Sequence, residues 1–122
     1  MRKYFDGLLG YKIKESMIIR KVSNKFNGKG KFKTSEGIVY DGEWVDGKPH
    51  GKGKMSFEVG SIYEGDFCNG VMTGKGKYTF HDGSVEEGDF YHGVLHGNGK
   101  IIHMDGRVEE GEFKEGEFVG NN

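Results

Sequence analysis

The sequence has few of the features that mark secreted or membrane-spanning proteins. It contains a single cysteine, Cys68, which cannot form an internal disulfide, so folding does not depend on an oxidising compartment. No stretch approaches the roughly 18 to 20 apolar residues of a spanning helix, and only Leu8 and Leu9 stand where a signal peptide needs a longer apolar run. We therefore expect a cytoplasmic protein.

The sequence also contains few apolar residues. Apolar residues make up 34% of the 122 residues and charged residues 30%, which leaves little to fill a two-layer core. There is one proline against 23 glycines, and the glycines are regularly spaced instead of clustered as in a linker. The net charge of -1 gives no reason to expect nucleic acid as a partner. The composition predicts one thin domain.

An internal repeat of 23 residues organises the chain. A motif of Tyr, acidic residue, Gly, acidic residue and aromatic residue at 40–44 recurs, with changes, at 63–67, 86–90 and 109–113. A Gly-x-Gly-Lys motif keeps the same phase. The predicted units are an N-terminal cap or arm at 1–16, a degenerate repeat at 17–39, full repeats at 40–62, 63–85 and 86–108, and a C-terminal half repeat at 109–122.

Each unit reads as a β-hairpin. Two runs of about six residues alternate with period two and are separated by turn pairs such as Asp46 with Gly47 or Asn69 with Gly70. One face of the predicted antiparallel meander carries aromatic residues and glycines. On the other face, acidic strands alternate with lysine strands, so cross-strand pairs worth about 0.2 to 1 kcal/mol each should specify the register.

The spacing of Tyr-x-Gly-x-Trp/Phe, then Gly, then Gly-x-Gly resembles the MORN repeat family, closely over 40–120 and weakly over 17–39. The resemblance implies an all-β, elongated, twisted single-layer sheet whose aromatic-lined groove binds protein segments. The family also includes accessory regions of enzymes and membrane-junction proteins. This sequence departs from the motif at Glu86 and Glu109, where the tyrosine is missing, and at Met17 and Lys21, which replace both aromatics of the first unit.

The resemblance assigns the protein-binding groove to one set of aromatic side chains. The main candidates are Tyr40, Trp44, Tyr63, Phe67 and Phe90, with Phe57, Tyr78, Phe80 and Phe113 beside them. Each ring is also explained as core, because a one-layer sheet has no other source of apolar burial. Among them, Trp44 is the best binding candidate, since its size and its indole donor suit an interface anchor.

No constellation in the sequence predicts catalysis, a metal or a cofactor. The histidines are His50, His81, His92, His96 and His103. His50 and His96 occupy the same repeat position two units apart, roughly 20 Å along the sheet, which is too far for shared ligation. Cys68 has no predicted base, and the carboxylates recur in every unit, whereas a catalytic pair needs a unique environment. We expect no enzyme activity.

The predicted function is a scaffold or adaptor that binds protein partners. One alternative is a peripheral membrane module for acidic phospholipids, but the lysine columns alternate with acidic ones, and the only basic cluster lies within 12–25. A second alternative is an accessory regulatory domain of an enzyme. Association with the cytoskeleton or with a membrane is compatible with the predicted cytoplasmic location.

Self-association is predicted at the C-terminal half repeat. A meander has edge strands with unpaired backbone groups, and Phe113 and Phe118 lack the following repeat that covers their counterparts. Charges at Glu109 and Glu110 oppose indiscriminate pairing and favour a two-fold contact. We therefore expect a homodimer.

Overall fold

A computed structural model describes residues 26–120, and these residues contain strands and no helix. The strands are β1 (Gly28–Lys33), β2 (Val39–Val45), β3 (Lys48–Ser56), β4 (Ile62–Cys68), β5 (Val71–Thr79), β6 (Val85–Tyr91), β7 (Val94–Ile102), β8 (Val108–Lys114) and β9 (Glu117–Gly120).

The nine strands form one open sheet in which their spatial order is their order in the chain. Every neighbouring pair is antiparallel. The predicted single-layer meander of hairpins is thereby confirmed. The predicted arm at 1–16 and the start of the degenerate repeat, 17–25, lie outside the described residues, and the unit boundaries stay predictions.

Two-residue turns close one set of hairpins, as the turn pairs predicted. At Asp46 and Gly47, φ is +51° and +78°, and the other turns of this kind repeat that geometry. Two successive positive φ angles are typical of a type I′ turn, whose twist matches that of the flanking strands. This local preference fixes which residues face each other across β2 and β3.

A repeated clasp joins each of these turns to the hairpin before it. The amide of the first turn residue donates to a side-chain acceptor 19 residues earlier. The pairs are Asp46 to Asn27 Oδ1 (3.1 Å), Asn69 to His50 Nδ1 (3.3 Å), His92 to Thr73 Oγ1 (3.1 Å) and Glu115 to His96 Nδ1 (3.0 Å). The next turn amide, such as Gly70 N, donates to a backbone carbonyl of the same preceding strand. The clasp therefore couples consecutive units.

A β-bulge in the first strand of each full unit shifts the register, for example between Gly65 and Phe67. The bulged Asp66 turns its carboxylate onto the amide of Lys75, at 2.9 Å. Gly74 has a φ of +112°, and a Cβ there would lie 2.6 Å from the same carboxylate. Only glycine fits both the backbone conformation and the close approach at this position.

The core is a single cluster of apolar side chains on one face of the sheet. Tyr40 packs edge-to-face with Trp44 of its own unit and with Phe67 of the next, at centroid distances of 5.1 and 5.0 Å. Tyr63 repeats this arrangement with Phe67 and Phe90, at 5.2 and 5.3 Å. We call these five rings the aromatic spine, and each such contact contributes about 0.5 to 1.5 kcal/mol beyond area burial.

Candidate functional site

The five main candidates for the groove are the five rings of the aromatic spine. The structure brings them together in one row, as expected, and it also covers them: their exposed fractions are 0% for Tyr40 and Tyr63, 2% for Trp44, and 3% for Phe67 and Phe90. The indole of Trp44 donates to the carbonyl of Gly30 at 3.0 Å, so the donor expected to serve a partner is used within the sheet. A binding role for these rings stays a prediction, whereas their packing role is evident.

The spine tyrosines are held as neutral phenols. Tyr40 Oη donates to the carbonyl of Glu43 at 2.8 Å, and Tyr63 Oη donates to that of Asp66 at 3.0 Å. Burial raises the pKa of both hydroxyls well above the ordinary value, and the neighbouring carboxylates Glu43 and Asp66 raise it further. Burial and then Glu86 raise the pKa of Tyr78 in the same way. The hydroxyls of Tyr40 and Tyr63 therefore satisfy carbonyls at the β-bulges.

Two aromatic rings of the predicted groove lining reach the surface. Phe57 and Phe80 occupy the same repeat position and are half-buried against the core. Tyr78 lies between them, stacked with Phe57 at 6.1 Å and edge-to-face with Phe80 at 4.7 Å. We call Phe57 and Phe80 the aromatic platform, because they are the accessible part of the predicted groove lining. They pack against the buried side chains of the core.

The aromatic face becomes polar toward its C-terminal end. Glu86 takes the place of the spine tyrosine in the third unit and is 1% exposed. In the following unit, Glu109 has that place and its Oε1 lies 2.9 Å from Nε2 of His103, which replaces the platform phenylalanine. The departures from the motif seen in the sequence therefore end the aromatic spine at Phe90.

The opposite face carries two parallel rows of charges separated by glycines. The upper charge row contains Lys54, Glu64, Lys77, Glu87, Lys100 and Glu110. The lower charge row contains Lys52, Asp66, Lys75, Asp89, Asn98 and Glu112. Between them runs the glycine row, Gly53, Gly65, Gly76, Gly88, Gly99 and Gly111. The signs alternate from strand to strand along the whole upper charge row, and along the lower charge row as far as Asp89, where neutral Asn98 follows.

The lower charge row forms the cross-strand ion pairs that the sequence pattern predicted. Lys52 Nζ lies 2.5 Å from Asp66 Oδ1, and Lys75 pairs with Asp89 in the next unit. Each lysine ammonium holds the pKa of its partner carboxyl below the ordinary value, chiefly through the side-chain hydrogen bond. Because the lysines are 72% and 76% exposed, these pairs serve register more than stability.

The two predicted self-association residues differ in exposure. The rings of Phe113 and Phe118 lie 5.2 Å apart, and Phe113 is 1% exposed while Phe118 is half-buried. The expectation that both rings keep free apolar surface is therefore wrong for Phe113, because Phe118 and the core cover it. The homodimer itself stays a prediction.

Within residues 26–120, no three His, Cys, Asp or Glu side chains are grouped so that they could hold a metal ion. The same part of the chain has no helix of the length and apolarity that a membrane crossing requires. Cys68 is an exposed free thiol. His50 and His96, which lie in β3 and β7, serve as clasp acceptors, a role that the sequence analysis did not assign to them. A signal was present, since Asn, His, Thr and His in this position are all acceptors.

Comparison with protein families gives one match along almost the whole described region. The model of the MORN repeat matches residues 22–38, 40–62, 63–85, 87–106 and 110–121. No curated protein matches the chain. MORN repeats are generally modules of protein or membrane interaction, and the family is a non-catalytic repeat module.

Proposed function

This chain belongs to the MORN repeat family, and from that premise we propose that it is a non-enzymatic scaffold that binds a protein partner through its aromatic face. The observation that carries the proposal is the aromatic platform, Phe57 and Phe80, which remains accessible above a fully packed spine. Aromatic anchors on rigid supports bind with little loss of side-chain entropy, and aromatic residues are enriched among binding hot spots.

The chemistry of the described residues supports a binding role over a catalytic one. The carboxylates recur in every unit, and the buried phenols of Tyr40, Tyr63 and Tyr78 stay protonated because burial raises the pKa of each. The lipid-binding alternative gains no support from these residues, since lysine and acidic strands alternate across the charged face. A cytoplasmic location is part of the proposal.

Self-association through the C-terminal edge belongs to the same proposal. β9 pairs only with the last residues of β8, Glu112 to Lys114. Among the described residues, 108–111 therefore pair with β7 alone, and Val108 is 54% exposed. A strand edge of this kind can receive the same edge of a second copy, which would give a homodimer.

Affinity capture with three baits tests the partner-binding role. We expect the wild-type chain to retain a defined protein that a Phe57→Ser, Phe80→Ser bait loses. Tyr91→Ser is the matched control, because Tyr91 is an aromatic residue with 56% exposure that lies outside the platform. Substituting Trp44 or Phe67 would not serve, because both are buried and their loss would disturb the fold. Equal capture by a folded platform variant would refute the role of this face.

A further inference from the structure

The charged face offers a second surface whose geometry and chemistry differ from those of the aromatic platform. A trough floored by backbone lies between the two charge rows, because the residues between them are directed to the aromatic face, where an added Cβ at Gly76 would meet Tyr63. A hollow of about 480 Å³ opens over Gly88, Gly99 and Gly111, with Glu87, Lys100 and Glu110 at its wall. A second hollow of about 380 Å³ continues it toward Gly76 and Lys77. No apolar side chain lines either hollow.

The two charge rows differ in whether their charges form ion pairs within the sheet. Across the described part of the chain, the ion pairs on this face join lower-row residues, Lys52 with Asp66 and Lys75 with Asp89. Upper-row neighbours such as Lys77 and Glu87 face each other in register but form no ion pair. Lys77, Glu87 and Glu110 are exposed. The upper charge row is therefore free to pair with charges of a partner.

The spacing of the rows selects the form of that partner. Adjacent strands lie about 4.8 Å apart, so the three steps from β5 to β8 span about 14 Å. On one face of an α-helix, residues three or four apart advance about 5 Å on average, and three such steps span about 16 Å. In an extended chain, residues on one side are about 6.7 Å apart, or about 20 Å in three steps, so they do not match the spacing of the strands. The helix is the better match.

The twist of a sheet limits the length of this match. Strands rotate by about 20 to 25° from one to the next, so a straight rod can follow the trough over only three or four strands. The hollows lie over β5 to β8, which is a stretch of that size. A helix of about three turns with alternating charges on one face fills it.

We propose that the glycine-floored trough between the charge rows binds an α-helix of a partner protein whose exposed face alternates acidic and basic residues. The acidic residues of the helix pair with Lys77 and Lys100, and the basic residues pair with Glu87 and Glu110. The chain would then be an adaptor with two unlike faces, since this trough lies on the side of the sheet opposite the aromatic platform.

Two synthetic peptides of 24 residues test the phase of the charges directly. In an alanine background, the first peptide carries Glu and Lys alternately at positions 4, 8, 11, 15, 18 and 22, which lie on one helical face. The second carries three Glu followed by three Lys at the same positions, so its composition is identical, and the alanines favour the helix in both. Circular dichroism checks that both are helical, and fluorescence anisotropy at 50 mM salt measures binding. We expect the first peptide to bind at least tenfold more tightly, and to lose most of its affinity at 500 mM salt because the charges are exposed.

Protein variants connect that binding to the upper charge row. Lys77→Glu with Lys100→Glu should weaken the affinity for the first peptide by tenfold or more, and Lys77→Gln with Lys100→Gln should weaken it by less. Lys33→Glu with Lys114→Glu makes the same charge change outside the trough and should have little effect on this affinity. The melting temperature of each variant shows that it is folded. Equal affinity for the two peptides, or no binding up to millimolar peptide, overturns the proposal. So does binding that only Phe57→Ser with Phe80→Ser abolishes, which would leave the aromatic platform as the sole binding face.

Discussion

The sharpest prediction compares the same substitution at two equivalent glycines. At Gly76, an added Cβ would lie 2.2 Å from Tyr63 Oη and 2.5 Å from its Cε1. At Gly99, where Glu86 replaces the spine tyrosine, the nearest atoms are Leu95 Cδ2 at 3.0 Å and a ring carbon of Phe113 at 3.2 Å. Neither glycine has a φ in the left-handed region, so alanine is acceptable to the backbone at both.

The loss of stability in Gly76→Ala follows from the interactions that Tyr63 would lose. If the ring moves, its hydrogen bond to Asp66 is lost, at about 1 kcal/mol. Its edge-to-face contacts with Phe67 and Phe90 weaken, at about 0.5 to 1.5 kcal/mol each. Alanine restricts the unfolded chain and returns about 0.5 kcal/mol. The net loss of stability for Gly76→Ala is about 1.5 to 3.5 kcal/mol, close to typical overpacking, whereas Gly99→Ala should stay within about 1 kcal/mol.

Urea unfolding of the two variants, with the slope checked for constancy, measures these differences. A double-mutant cycle adds the decisive control: in a Tyr63→Leu background, the cost of Gly76→Ala should fall toward that of Gly99→Ala, because the flat ring is no longer there. If Gly76→Ala costs no more than Gly99→Ala in the wild-type background, the close packing of tyrosine on glycine does not stabilise the sheet as we argue.

Other predictions concern the clasp, the buried phenols, the sheet edge and lipid binding. Thr73→Ala removes the acceptor for the turn amide of His92, so that amide should exchange with solvent faster and stability should fall by about 0.5 to 1.5 kcal/mol, whereas Thr73→Asn should preserve both. The three buried tyrosines have raised pKa values, so their contribution to stability is complete below their ordinary pKa of about 10 and declines as the pH rises above it. An ultraviolet titration in which every tyrosine of the folded protein ionises near pH 10 would contradict this. Light scattering with size exclusion should show a dimer at tens of micromolar that Val108→Glu dissociates and the exposed-site control Val59→Glu does not. Cosedimentation should show little binding to anionic liposomes at physiological salt, with any remainder removed by neutralising the basic residues of 12–25.

The repeat and the strand order could be predicted because they depend on local information. A spacing of 23 residues, alternation within each run and a turn pair such as Asn69 with Gly70 specify a hairpin, and hairpins in series specify the sheet. The sign pattern likewise indicated which strands face each other, and the ion pair of Lys52 with Asp66 follows it.

The exposure of the aromatic rings could not be predicted in the same way. Whether Trp44 is covered depends on its packing with Phe26 and Tyr40, which is a matter of side-chain direction and bulge geometry. The alternation rule places residues on a face but does not say which of them fill the layer beneath others. That is why Phe57 and Phe80 remain as the platform while the tryptophan expected to anchor a partner does not.

The strand order also has a mechanical and kinetic consequence. Each of the strands β1 to β9 pairs only with its neighbours in the chain, so contacts within residues 26–120 join residues close in sequence. Folding of this part should be fast and able to start at any central hairpin. Force applied at β1 and β9 would meet, within the described part of the chain, no strand that bridges distant units. The sheet should then open one hairpin at a time from its ends, giving a series of similar, low unfolding forces instead of a single rupture.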